Sequence, residues 1–288
     1  MSARAAITLG LLLALGCGAS KDPPPAQHGI ISCSPNITET VFALGQGDRL
    51  VAVSSYCDYP PEVSSLPDIG TYLSPNFEQI ALLTPEMLLL AGEHEKVATF
   101  AEMNNIRTVN AHMDNLATIE SGIASVAEAL GVPDRGTALW TEIDSELQAV
   151  RDHVADKPRP RVLVLTFRTD HDLNTLFTVG GQSFVSEMVD VAGGQNIFAD
   201  SDATYFEASK ESVVVLAPEV IIEFHAGQDL SEDEIAKYRS EWAALDSLPA
   251  VRNGRVHLFT ESYGLRPGPR VALIAERFAT WIHPEPIP

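Results

Sequence analysis

One stretch occurs twice, and it constrains the fold more than anything else in the chain. Residues 76–90 read NFEQIALLTPEMLLL and residues 209–223 read SKESVVVLAPEVIIE. Superposed, Glu78 meets Glu211, Leu83 meets Leu216, Pro85 meets Pro218 and Glu86 meets Glu219, and both copies hold Glu seven residues before Pro. In each copy an acidic residue opens a short apolar helix, where its charge suits the positive end of the helix dipole. Proline ends the helix. The run rich in Leu, Ile, Val and Met that follows has the length of a strand buried on both faces. Helix, Pro turn and buried parallel strand make half of a βαβ module. Two copies predict two similar α/β lobes.

Between the copies, apolar residues at Leu139, Ile143, Leu147, Val150 and Val154 form a helical stripe over Asp134–Ala155, which Lys157-Pro158-Arg159-Pro160 ends. Twenty-two helical residues span about 33 Å, the width of a small domain, so this helix is expected to be a stiff spine over residues 132–157. Before it, residues 29–131 alternate strands and helices. Strands are expected at Gly29–Ser34, Arg49–Ser54 and Arg107–Asn110. Helices are expected at Asn36–Leu44, capped by Thr38 or Asn36 and stopped by Gly45, and at Asn115–Leu130. After the spine, residues 158–288 open with a strand at Arg161–Phe167. A polar loop through Asn174, a helix at Phe184–Ala192 and an aromatic-rich loop at Asn196–Phe206 follow. The second repeat, a strand at Arg255–Phe259, the loop TESYGLRPGPR and a helix at Val271–Trp281 complete the lobe.

The first residues read as an export signal over 1–16. A lone positive charge precedes the apolar run Ala5–Leu15, which is too short for a retained spanning helix. The sequence LALGC at 13–17 resembles a bacterial lipobox, which makes Cys17 the expected lipidation site and residues 17–28, with three consecutive prolines, a short stiff tether. Localisation in the periplasm or cell envelope follows. In that oxidising compartment Cys33 and Cys57 could close a disulfide or stay as two thiols, and there is no CxxC. A net charge of −20 argues against nucleic acid and anionic membrane surfaces and calls for a basic face on any large protein partner.

No GxSxG, Walker loop, HExxH or GxGxxG carries an enzyme reading. Instead, aromatic residues fall in predicted loops beyond strand ends, where open α/β sheets bind ligands: Tyr56, Tyr59, Tyr72, Phe167, Tyr205, Phe206 and Tyr263. Aromatics around a cleft suit a large flat organic ligand. His94, His112, His171 and His225 also follow predicted strands and would bind metal, or the metal of a chelate, if they converged. Arg168, Arg266 and Arg270 are the cations able to meet a carboxylate.

The stretches ISCSPNITETVFALGQGDRLVAVSSYCDYPPE, GTYLSPNFEQIALLTPEMLLL and VAGGQNIFAD, with the spine ending ADKP, together resemble the helical-spine binding proteins of bacterial ABC importers. Cobalamin binders look nearest, and iron-siderophore and haem binders share the fold. The resemblance covers Gly29 to about Trp281. It implies an α/β fold of two Rossmann-like lobes joined by one spine helix, with a ligand cleft between them and no catalysis. It also implies a metal-chelate ligand such as cobalamin or, as the alternative, an iron-siderophore or haem; a lipoprotein enzyme or adhesion module on the same fold is the minor alternative. Cleft residues would be Tyr56 and Tyr72 on the first lobe, and Phe167, Tyr205 and Tyr263 with Arg266 on the second. Glu78 and Glu211 would dock onto arginines of the permease, and the binding protein itself would be a monomer without a resident cofactor. Tyr72 stands where the cobalamin binders carry tryptophan, and LLLAGEHE lacks their second one.

Overall fold

The computed structural model describes residues 29–169 and 173–284. Cys17, the signal and tether, and His171 lie outside the described residues. The first lobe comprises β1 (Ile30–Ser32), α1 (Pro35–Ala43), β2 (Leu50–Val53), α2 (Phe77–Leu83), β3 (Met87–Leu90), α3 (Glu95–Met103), β4 (Arg107–Asn110) and α4 (Leu116–Ala129). Its strands form one parallel sheet in the order β2-β1-β3-β4. Alternate residues of β1 and β3 feed opposite faces: Ile30 and Leu89 enter one core, Ile31 and Leu88 the other. Helix α5 (Pro133–Val154) then leads to the second lobe. That lobe holds β5 (Arg161–Arg168), β6 (Leu176–Val179), α6 (Phe184–Val191), β7 (Gln195–Asn196), β8 (Tyr205–Ala208), α7 (Lys210–Leu216), β9 (Val220–Phe224), α8 (Glu232–Glu241), α9 (Pro249–Arg252), β10 (Val256–Phe259) and α10 (Val271–Ile282). Its sheet runs β10-β9-β5-β6-β8, with β7 paired to β5.

The repeated stretch folds alike in both lobes. Helices α2 and α7 each turn one residue inward, Ile80 and Val213, both fully buried. Each then reverses through a left-handed residue, Thr84 at φ 44° and Ala217 at φ 45°, an uncommon conformation for a side chain with a Cβ. Proline follows, and Glu86 and Glu219 pair with Arg49 (3.0 Å) and Arg161 (3.5 Å) at the base of the strand each turn feeds. The spine buries Ile143, Leu147, Val150 and Val154. One apolar core runs without a break from β1 through α4 and α5 to α6 and α10, so the lobes share their interior.

Two local expectations are corrected. Helix α1 starts at Pro35 with Ser34 in the cap position, and neither Asn36 nor Thr38 caps it, because proline already fixes the first helical turn. The stretches around Asn174 and Asn196–Phe206 contain strands, β6 and β8, that run antiparallel to each other and extend the sheet past β5. Phe167, Tyr205 and Phe206 are therefore strand residues rather than loop residues. The backbone comes very close here: a Cβ on Gly180 would sit 1.9 Å from the Ala203 carbonyl oxygen, so only glycine fits.

On β10, His257 stacks on Trp281 with ring centroids 5.2 Å apart, and its Nε2 is buried without a partner. Burial, then the charges of Arg239 and Arg255, bring its pKa from 6.5 down to about 4. The unfolded chain thus binds the extra proton first. This contribution to stability is complete above pH 6.5 and drains away as pH falls toward 4. His257→Phe keeps the stack and removes the proton. Its melting temperature should fall less than that of the wild type between about pH 7 and pH 4, and an equal fall would assign the acid sensitivity to other groups.

Candidate ligand-binding cleft

The cleft between the lobes has a volume of about 500 Å³. The first lobe contributes Asn36 at the start of α1, Tyr56 beyond β2, Ala91 beyond β3, and Met113 and Asp114 between β4 and α4. The second contributes Phe184 at the start of α6, Tyr205 at the start of β8, Ala226 beyond β9, and Ser262 and Arg266 beyond β10. Most of these follow C-terminal strand ends, the edge at which parallel sheets leave side chains free. Tyr56 and Tyr205 keep 68% and 50% of their surface exposed, so each lobe offers the cleft an open aromatic face.

Arg266 is not free. Its guanidinium pairs with Asp58 and reaches Glu39 at 3.3 Å, while Nη2 donates to the Tyr56 carbonyl oxygen at 3.0 Å. Arg270 grips the same Glu39 through Nε at 2.8 Å and Nη2 at 2.5 Å, and lies 4.1 Å over the Tyr59 ring. Glu39 belongs to the first lobe and is 4% exposed; both arginines belong to the second. Two cations and two carboxylates thus form a clamp across the lobes. Burial pushes the Asp58 carboxyl up, but hydrogen bonds and charge from Arg266, with help from Ser262 and Arg270, leave it below the usual range. Backbone bonds add to the clamp: Asn36 Nδ2 donates to Pro267 O at 3.1 Å, Phe184 N to Asp114 O at 2.7 Å, and Leu116 N to Glu187 Oε2 at 2.6 Å.

Among the residues singled out from sequence, the structure brings Tyr56, Tyr205 and Arg266 to the cleft. It places the others elsewhere. Tyr72 donates to the Glu93 carbonyl oxygen at 2.6 Å and packs against His94 with centroids 4.3 Å apart. Phe167 sits on β5 near Phe177. Tyr263 packs edge-on against Phe259 beneath Arg270, supporting the clamp. Arg168 is buried away from the cleft, donating to Glu223 and Glu241 at 2.6 Å each.

The described histidines, His94, His112 and His225, do not converge. His94 accepts the Val97 N–H at the start of α3, His112 is exposed, and His225 is buried with Nε2 2.8 Å from Glu223. Among the described residues no group of three or more His, Cys, Asp or Glu side chains could hold a metal. Cys33 and Cys57 are both free. Cys33 packs with the core on one face of the sheet and Cys57 with the core on the other, where its Sγ meets Thr38 Oγ1 at 3.1 Å. Burial, then the neighbouring Cys57, pushes the Cys33 thiol up to about 12. Glu39, Asp58 and Asp114 escaped the sequence reading. A carboxylate inside the helical apolar pattern of NITETVFAL was the available signal for Glu39.

Residues 30–263 match the model of the family described as periplasmic binding protein. The chain belongs to this family. A vitamin B12-binding protein of Photorhabdus laumondii is 29% identical over 250 residues, covering 86% of this chain and 85% of its own length. The solved periplasmic vitamin B12-binding protein BtuF of Vibrio cholerae is 28% identical, with a TM-score of 0.73, over 88% of this chain and 96% of that one. The solved apo periplasmic heme-binding protein RhuT from Roseiflexus sp. RS-1 is 27% identical, with a TM-score of 0.74, over 89% and 98%. The family's two-lobed α/β architecture is the one seen here, with a parallel sheet in the first lobe and a mixed sheet in the second. No helix among the described residues is long and apolar enough to cross a membrane.

The clamp makes a stability prediction. Glu39→Ala leaves the largely buried Arg270 without its carboxylate and Arg266 with Asp58 alone, and removing one partner of a buried ion pair costs about 3–5 kcal/mol. Denaturant unfolding should show a loss of that size. A loss under about 1 kcal/mol, the value of an exposed pair, would mean that Glu39 does not hold the lobes.

Proposed function

We propose that the protein captures cobalamin or a related corrinoid outside the cytoplasmic membrane and delivers it to an ABC importer, as a lipid-anchored, non-catalytic binding protein. The observation that carries this reading is a cleft with an open aromatic face on each lobe and a cation already matched by carboxylates. Haem brings two propionates, and many siderophores are anionic. Arg266 is committed to Asp58 and Glu39, and Asp114 adds a further carboxylate to the lining. A cobalamin carries its own lower axial base and a rim of amides. It needs flat apolar contact and neutral hydrogen-bond partners, which the Ser34 and Ser262 hydroxyls supply alongside the tyrosines.

Iron ligation is poorly served by the same lining, in which the described residues include neither histidine nor cysteine. Burial pushes the Tyr205 phenol above its usual range, Ser183 pulls against that, and the Asp114 charge adds to it, so a phenolate at Tyr205 is disfavoured. The relatives named as vitamin B12-binding proteins support the corrinoid reading. A haem reading draws on the RhuT relative. On either reading Glu78 and Glu211, exposed at equivalent places on the two lobes, would meet a basic permease face.

Calorimetry with cyanocobalamin and with hemin separates the ligands. Cyanocobalamin should bind one to one, and Tyr56→Ala and Tyr205→Ala should each weaken it by about 1.5–3 kcal/mol, the worth of a buried large apolar side chain. Hemin binding with cyanocobalamin silent would replace the corrinoid reading with the haem one.

A further inference from the structure

Helices α2 and α7 share more than a matched glutamate. Each is seven residues long and begins at the C-terminal edge of its sheet. The Asn76 N–H donates to Ile69 O at 2.7 Å, and the Ile69 N–H donates to Val53 O at the end of β2. Ser209 follows Ala208, which is level through Leu176 with Arg168 at the end of β5. With Ile80 and Val213 fixed inward, the outer face of each helix shows the same pair. A glutamate stands in the first turn, and a large apolar residue follows four positions on: Glu78 with Leu82, Glu211 with Val215.

Leu82 is 73% exposed and Val215 is 81% exposed. Four residues of helix rise place the carboxylate and the apolar group about 6 Å apart on one face. One solvent-facing Leu or Val is ordinary. The same pair at the same register in two lobes is not required by either helix's packing, because the buried residues already fix both helices.

We infer that Leu82 and Val215 are the apolar halves of two matched docking patches, each completed by the glutamate one turn before it. The partner is a permease that presents a cation beside an apolar socket once under each lobe, as two copies of one subunit would. Its basic character follows from the two carboxylates and from the chain's net charge of −20. Its identity as an importer subunit rests on the function proposed above. The two halves of a patch act differently. The glutamates draw the partner in and set the salt dependence of association, whereas the apolar contacts form only in the docked complex and slow its dissociation.

The test uses the full chain and the host's vitamin B12 permease–ATPase complex in lipid nanodiscs, with association and dissociation followed separately. Leu82→Ser, Val215→Ser and the double variant should keep the wild-type melting temperature and cyanocobalamin affinity. Dissociation from the complex should be about tenfold faster in each single variant and about a hundredfold faster in the double one. Met103→Ser, at another 78% exposed apolar side chain outside both helices, should change nothing. Unchanged dissociation of the double variant, or equal acceleration by Met103→Ser, would overturn the patch while leaving the importer reading intact. Wild-type protein that fails to bind the complex would overturn the importer reading, and the partner assigned here with it.

Discussion

Helix α5 buries Ile143, Leu147, Val150 and Val154 along one stripe, and along that stripe the two lobes become a single core. Everything else about the molecule depends on this seam. A spine of 22 residues whose inner face is apolar throughout cannot bend without opening the core, so the lobes keep their spacing whether or not the cleft is occupied. The side chains facing each other across the cleft can then be arranged in advance, and a ligand does not have to meet the cost of ordering them.

The clamp does for the cleft mouth what the spine does for its base. Glu39 is almost fully buried and would be costly to desolvate alone, but two guanidinium groups from the other lobe supply its partners. Their charge is used up in doing so. Arg266 therefore lines the cleft without offering it an unpaired cation, and Tyr56, whose carbonyl oxygen accepts from Arg266, is held in place by the same group. On the corrinoid reading proposed above, structural charge pairing and ligand preference have one cause. A cleft whose cation is neutralised by its own scaffold favours a flat, amide-rimmed ligand over an anionic one.

What the sequence made legible was periodic or repeated. The spine was readable to within a residue or two because five apolar positions repeat at helical spacing. The lobes were readable because a Glu, a Pro and an apolar strand recur at one offset. The short strands β6 and β8 were not, since four residues each are too few for an alternating pattern to stand out, and β8 pairs with a strand well back along the chain. Arg168 looked like a cleft cation because it ends a strand. The contrary signal was Glu223, a carboxylate inside the apolar run VIIEF that needs a buried partner, and Arg168 supplies it at 2.6 Å. Tyr72 shows a related ambiguity. A loop aromatic can face a cleft or its own loop, and here the His94 ring and the Glu93 carbonyl oxygen hold it.

If spine and clamp fix the lobes before any ligand arrives, the spacing between the lobes does not depend on ligand. The direct measurement is the distance between two spin labels, one on the exposed face of α3 and one on the exposed face of α8, by pulsed electron resonance with and without cyanocobalamin. The two distance distributions should share one narrow maximum to within about 1 Å, as in preorganised binding sites. A shift of more than about 2 Å on adding ligand, or a broad distribution without it, would contradict the account and make this a hinged receptor.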